Sequence, residues 1–202
     1  SLNSGSELTV RGLTGKFGIQ YEQEIGNEVS VVVGATYKLG TNMKGYATSF
    51  RYANQSSVTD TLKHTVDTLG ASGLRFGDEI GIGIAVKGRD KWSAEFNYLR
   101  SDWRKSGLDK APGFAVNGQS GFTTTVSQSF RAGFEFVPNR NDIRYYMKTC
   151  TYRAGIYYDQ AYYKMDGNNI NSMGITFGIT LPVFRLYNGI TLGVDLGQRA
   201  ST

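Results

Sequence analysis

Apolar and polar positions alternate along most of this chain with a period of two, the pattern of strands whose successive side chains point to opposite faces. Phe17, Ile19 and Tyr21 alternate with Gly18, Gln20 and Glu22. Val29, Val31, Val33, Ala35, Tyr37 and Leu39 share one face, with Ser30, Gly34, Thr36 and Lys38 on the other. Ile80, Ile82, Ile84 and Val86 oppose Gly81, Gly83, Ala85 and Lys87, and Trp92, Ala94, Phe96 and Tyr98 oppose Ser93, Glu95 and Asn97. The second half repeats this from Phe122 to Phe136, Tyr152 to Tyr158, Met173 to Val183 and Ile190 to Leu196. No window keeps a helical period, so the fold class read here is all-β.

Turn signals cut the pattern into hairpins. Short turns at Gly26-Asn27, Gly88 to Asp90, Pro138 to Asp142 and Pro182 to Asn188 alternate with connections at Ala53 to Ser57, Arg104 to Gly118 and Asp166 to Asn169. Short turns on one side and some longer loops on the other is the layout of an outer-membrane barrel. The count closes at about eight strands if Val58 to Leu69 and Glu79 to Lys87 form one returning strand, interrupted near Gly70 to Gly77. Val58, Leu62 and Val66 in that stretch also fit a helical spacing. The expectation is one domain over residues 1–202, an antiparallel up-and-down transmembrane β-barrel or a piece of one.

Composition bears on which medium the apolar face meets. Glycine occurs 26 times and proline three times, with 13 tyrosines and 11 phenylalanines. Mean hydropathy is −0.32, and no run of about 20 apolar residues exists, so a helical membrane protein is excluded. A barrel needs only every second residue apolar. The opposite face carries Gly, Ser, Thr and Asn with isolated charges, which suits a lumen better than a water-exposed sheet. Tyr152 and Tyr162 lie ten residues apart, which projects to about 25 Å along a tilted barrel strand, the height of a lipid-facing band. A soluble β-sandwich binding module shares the alternation and stays the competing architecture.

The stretch from Gly73 to Trp103 carries Gly81 and Gly83 on one strand, a turn ending in Asp90-Lys91-Trp92, and a strand ending in Asp102-Trp103. It resembles the outer-membrane long-chain fatty-acid transporter superfamily, and Asn171 to Pro182 followed by Gly193 to Arg199 is similar to the C-terminal strands of its Bacteroidetes-type branch. The resemblance implies a barrel of about fourteen strands, an N-terminal plug, the outer membrane of a Gram-negative bacterium, and uptake of hydrophobic compounds such as fatty acids through a porin-like channel. Eight strands without a plug-like segment then read as the C-terminal part of such a barrel, pairing with other strands. The same superfamily supplies the alternative, a related barrel serving a protein-secretion or surface-attachment complex. The partners implied are outer-membrane lipid, a hydrophobic small molecule, and other barrel strands or complex subunits.

Candidate chemistry is sparse. Net charge is +5 from 22 Lys and Arg against 17 Asp and Glu, mixed along the chain and without a nucleic-acid reader motif. Cys150 is the only cysteine and His64 the only histidine, so neither disulfide nor metal set is indicated, and no cofactor is expected. Asp60, Asp67 and Ser57 lie near His64 in sequence, but no motif joins them into a triad, and the chain does not read as an enzyme. Arg131, Glu135, Arg153 and Asp195 fall on the polar face. They read either as mutually paired lumen charges or as ligand contacts, with Arg153 the candidate to hold a carboxylate. Tyr145, Tyr146, Tyr157, Tyr158, Tyr162 and Tyr163 read as an interfacial belt.

Overall fold

In a computed structural model, residues 2–26, 28–55, 58–89, 91–110, 121–183 and 188–201 are described. They form twelve strands: β1 Leu2–Arg11, β2 Lys16–Ile25, β3 Val29–Lys38, β4 Thr41–Gln55, β5 Val58–Phe76, β6 Glu79–Gly88, β7 Trp92–Asp102, β8 Phe122–Thr124, β9 Val126–Phe136, β10 Thr151–Met165, β11 Asn168–Val183 and β12 Asn188–Ser201. One helical turn, α1 Tyr146–Thr149, and a 3-10 turn, Leu108–Lys110, complete the order.

The pairing reduces these to a meander. β12, β11, β10, β9, β7, β6, β3 and β2 are hydrogen-bonded neighbours in that order, while β1, β4 and β5 make a second, three-stranded sheet. β1 runs into β2, β3 into β4, and β5 into β6 with two to four residues between them. Each pair is one long strand broken at a bend, so eight composite strands follow one another and each pairs with its sequence neighbours. The expected interruption at Gly70 to Gly77 shrinks to Gly77-Asp78, and Val58 to Leu69 is strand despite its helical spacing. A lone i, i+4 pattern yields once one edge of the backbone is paired to β4 from Val58 to Phe76.

Asp78 locks the bend. Its carboxylate accepts the Gly40 N–H at 2.8 Å, the Tyr37 hydroxyl at 3.2 Å and an Arg75 guanidinium N–H at 3.3 Å. The Gly40 N–H holds this carboxyl below the usual carboxylate range against the pull of partial desolvation, and Tyr37 and Arg75 add to the effect. From the other side, Trp103 packs edge-on to Phe76 at 5.6 Å, and the Ser106 carbonyl accepts the Arg75 N–H at 2.8 Å.

Three expectations need correction. Among the described residues the sheet does not close into a barrel, because β2 and β12 carry no partner on their outer edges. The connection expected at Pro138 to Asp142 spans 137–150 and is a folded cap: Val137 and Cys150 are buried, and the Tyr146 hydroxyl donates to the Pro182 carbonyl at 2.7 Å. Phe122 to Phe136 is two strands, of which β8 pairs only with β10. The connection at Asp166 to Asn169 is a tight turn, in which Asp166 and Gly167 both have positive φ, 51° and 83°, the geometry of a type I′ hairpin. Asn27, Ser57, Asp90 and the tip between β11 and β12 lie outside the described residues.

Candidate functional site

Directly paired residues of an antiparallel ladder share a face, so the registers assemble the alternating strands into two continuous surfaces. One cross-strand row reads Tyr21, Val33, Ile84, Phe96, Ala132, Ile156, Ile175 and Leu196. The row beside it reads Gln23, Val31, Val86, Ala94, Phe134, Ala154, Phe177 and Val194. This surface is bare: Ile19 is 75% exposed, Ile156 60% and Leu196 60%. Among the described residues only Leu74, Val137 and Cys150 are buried hydrophobics. A soluble sheet hides its greasy face under a second layer, and among the described residues none lies here. Apolar patches of more than a few hundred Å² on a protein surface mark contact with lipid or protein.

The shape of the surface narrows this. The alternation of apolar residues from Val29 to Leu39, and again from Met173 to Val183, spans eleven residues, roughly 33 Å of strand and about 25 Å of height at a typical barrel tilt. The band also slants. The row Phe17, Tyr37 and Ile80 turns polar on the later strands, as Arg100, Gln128, Gln160 and Asn171. Beyond the opposite margin, Leu181 pairs with Ile190. A ladder row runs perpendicular to its strands, so a level slab cuts the rows obliquely when the strands tilt. The Tyr152–Tyr162 spacing contributes nothing to this, because a register shift lies between Gln160 and Lys164, and Tyr162 packs on Trp103 at 5.1 Å. Nor do the six tyrosines form one belt, since Tyr157 stands on the polar face and Tyr145 and Tyr146 belong to the cap.

The other surface carries the charged residues the sequence singled out. Arg153 donates to Glu135 at 2.7 Å and to the Thr180 hydroxyl at 2.6 Å, and Thr180 lies 2.9 Å from the Thr191 hydroxyl. Arg131 sits 3.5 Å from Asp159, and Tyr157 donates to Asp195 at 3.1 Å. All four candidates, Arg131, Glu135, Arg153 and Asp195, are thus on one face, each engaged with a protein partner. Sequence reading missed Tyr157 and Asp159 as the members that complete these contacts. Next to the network, a hollow of about 870 Å³ is lined by Gly18, Gln20, Gly34, Gly81, Gly83 and Asn97 on one side and by Arg131 and Asp159 on the other. That β2 and β10 line one hollow means the sheet curls, with its polar face concave. Side chains of His64, Asp60 and Asp67 lie outside the described part of the molecule, as does Ser57. Among the described residues, no three of His, Cys, Asp and Glu gather closely enough to hold a metal.

Residues 2–202 match the family model described as BamG. The chain belongs to the BamG family. This family is associated with the BAM outer-membrane protein assembly complex. No curated protein matches the chain. The match overturns the resemblance to fatty-acid transporters, and with it the expected uptake of hydrophobic compounds through a porin-like channel. The structure supplies the physical reason that the resemblance misled. A Cβ on Gly81 would come within 2.6 Å of the Thr36 hydroxyl and 3.2 Å of Leu99, and one on Gly83 within 2.5 Å of the Asn97 amide. The ring of Trp92 similarly covers Gly88. Trp103, from the Asp-Trp pair, anchors a loop whose Arg104 grips Asp102 at 2.5 Å and 2.9 Å. In this structure these motif residues serve the packing of a curled sheet.

Proposed function

We propose that this BamG-family chain is a membrane-embedded structural subunit of the BAM outer-membrane protein assembly complex, with its meander forming the wall of a β-barrel. The observation that carries this is the slanted, uncovered apolar band across eight composite strands, a surface shaped for acyl chains. Further pairing along the free edges of β2 and β12 closes the wall, since an open edge leaves backbone groups unsatisfied in lipid. The chain acts by binding and scaffolding and catalyses no reaction.

Three measurements test the reading. The folded protein extracts from membranes only with detergent, migrates differently on gels before and after heating, and co-purifies with subunits of the complex. Recovery as a monodisperse folded species without detergent sinks the membrane reading, and detergent-extracted protein free of those subunits sinks the complex reading. Within the band, Ile175→Arg destabilises the inserted protein by about 2–4 kcal/mol, as a cation at mid-membrane does, measured by urea unfolding in liposomes.

A further inference from the structure

The cap on 137–150 stands at the end of the meander that carries the β2–β3 and β6–β7 turns. The Arg89 N–H donates to the Glu28 carbonyl at 2.8 Å, and the Val137 N–H to the Lys91 carbonyl at 2.6 Å, so the three connections lie side by side. The cap is fastened to the rim of the apolar band. The last apolar row that β7 to β12 share at that end runs Trp92, Phe136, Tyr152, Ile179 and Leu192. From this row the Tyr152 hydroxyl donates to the Met147 carbonyl at 2.9 Å. The Asn139 N–H donates to the Lys148 carbonyl at 2.8 Å and closes the cap on itself.

What the cap holds outward is half apolar and half cationic. Ile143 is fully exposed, and Tyr145 and Met147 are more than half exposed. Arg140, Arg144 and Lys148 stand against Asp142 alone, a surplus of positive charge. Lys148 lies 3.7 Å from Asp142 and 4.7 Å over the Tyr145 ring. Arg140 and Arg144 are exposed, and among the described residues neither guanidinium meets a carboxylate. The neighbouring turns differ, since Glu28, Arg89, Asp90 and Lys91 balance in charge and Glu28 pairs with Arg89. Depth decides what meets the cap. A surface adjoining the last row of an acyl-facing band lies in the headgroup layer, where apolar bodies with polar tips and cations beside phosphates are favoured.

We infer that the cap is an anchor for anionic phospholipid: Arg140 and Arg144 hold headgroup phosphates while Ile143, Tyr145 and Met147 enter the layer beneath. The inference rests on the membrane-embedded reading proposed above, and it adds a lipid class and the residues that select it. Phosphatidylglycerol leaves its phosphate charge unbalanced, whereas phosphatidylcholine offsets it within the headgroup. The full chain with Ile143→Trp is folded into phosphatidylcholine vesicles containing a minority of brominated phosphatidylglycerol or, separately, of brominated phosphatidylcholine. Quenching of the added tryptophan, taken as the difference from the unaltered chain, reads which lipid gathers at the cap. The anionic lipid is enriched about 5-fold or more, the effect of one cation near an anionic surface. Arg140→Gln with Arg144→Gln removes that enrichment, while quenching in fully brominated phosphatidylcholine and the gel shift on heating stay unchanged. Equal quenching by the two lipids, or enrichment that survives loss of both arginines, overturns the inference. So does an inserted, heat-modifiable chain whose added tryptophan no brominated lipid quenches, an outcome that leaves the membrane reading intact. A chain that never enters the vesicles fails at the membrane reading itself and takes the anchor with it.

Discussion

The two flanks of the polar face are built on opposite plans. From β9 to β12 the surface is furnished by its own side chains: Arg153 bridges Glu135 and Thr180, and Tyr157 reaches Asp195. On β2, β3 and β6 the same rows hold Gln20, Gly34 and Gly83, and a hollow remains. A single row shows the contrast, running Gln20, Gly34, Gly83, Asn97, Arg131, Tyr157, Gly174, Gly197. The glycines at its two ends serve different purposes. Gly174 and Gly197 lie beneath the Tyr157 ring, so their missing side chains are what let the ring lie flat across two strands, a form of aromatic rescue. Gly34 has nothing over it; a Cβ there would meet only the Ile19 carbonyl at 3.8 Å.

Substitution of these glycines tests the distinction most directly. Gly174→Val puts a side chain where the Tyr157 ring carbon would be 2.7 Å from its Cβ, and overpacking of this kind costs about 1–3 kcal/mol. Urea unfolding in liposomes measures it, and an unchanged midpoint would dissolve the contrast. Tyr157→Ala combined with Gly174→Val recovers much of that loss if the ring is the obstacle. Gly34→Ala goes the other way: a β-compatible Gly→Ala change without strain stabilises by about 0.4–1 kcal/mol through the unfolded chain. A loss of stability there would mean the hollow is already filled in the membrane. Arg153→Met has the smallest effect. Its ion pair with Glu135 is partly solvated, and exposed pairs are worth about 0–1 kcal/mol.

The cap on 137–150 responds to pH in a direction its geometry sets. Asp142 accepts the Tyr145 N–H at 2.7 Å and the Arg144 N–H at 2.9 Å. The Tyr145 N–H, then the Arg144 N–H and nearby Lys148, hold its carboxyl below the usual range despite some desolvation. A depressed folded value means the ionised group stabilises the cap above its unfolded value near 3.9, and that contribution fades as pH falls through the lower folded value. Amide exchange at Tyr145 should be flat above about pH 5 once corrected for its intrinsic rate, and its protection should drop only in strong acid. Asp142→Asn should abolish that acid step.

Much of this was legible from residue order. Alternation placed the apolar and polar faces correctly on β2, β3, β6, β7, β9, β10, β11 and β12, and it put Arg131, Glu135, Arg153 and Asp195 on one side. What alternation cannot supply is register, so the partners of those charges were hidden, and Asp159 and Tyr157 went unrecognised. The bulge after Gln160 was invisible because Gln-Ala-Tyr-Tyr keeps a plausible alternation through it. The cap was misread because Pro138 and the neighbouring Asn residues signal a turn, while the burial of Val137 and Cys150 arises from tertiary contact without period. Family was the least legible of all. Glycines under cross-strand side chains serve the packing of a curled sheet, so loose motifs drawn from it pointed to the wrong relatives.

The unbroken neighbour-to-neighbour order of the meander also bears on how the chain is made. Every composite strand finds its partner in the segment just before or after it, so no strand must wait for one synthesised far away. Low contact order of this kind favours quick, stepwise zippering, each hairpin templating the next. A polypeptide emerging end first could therefore build the meander in order.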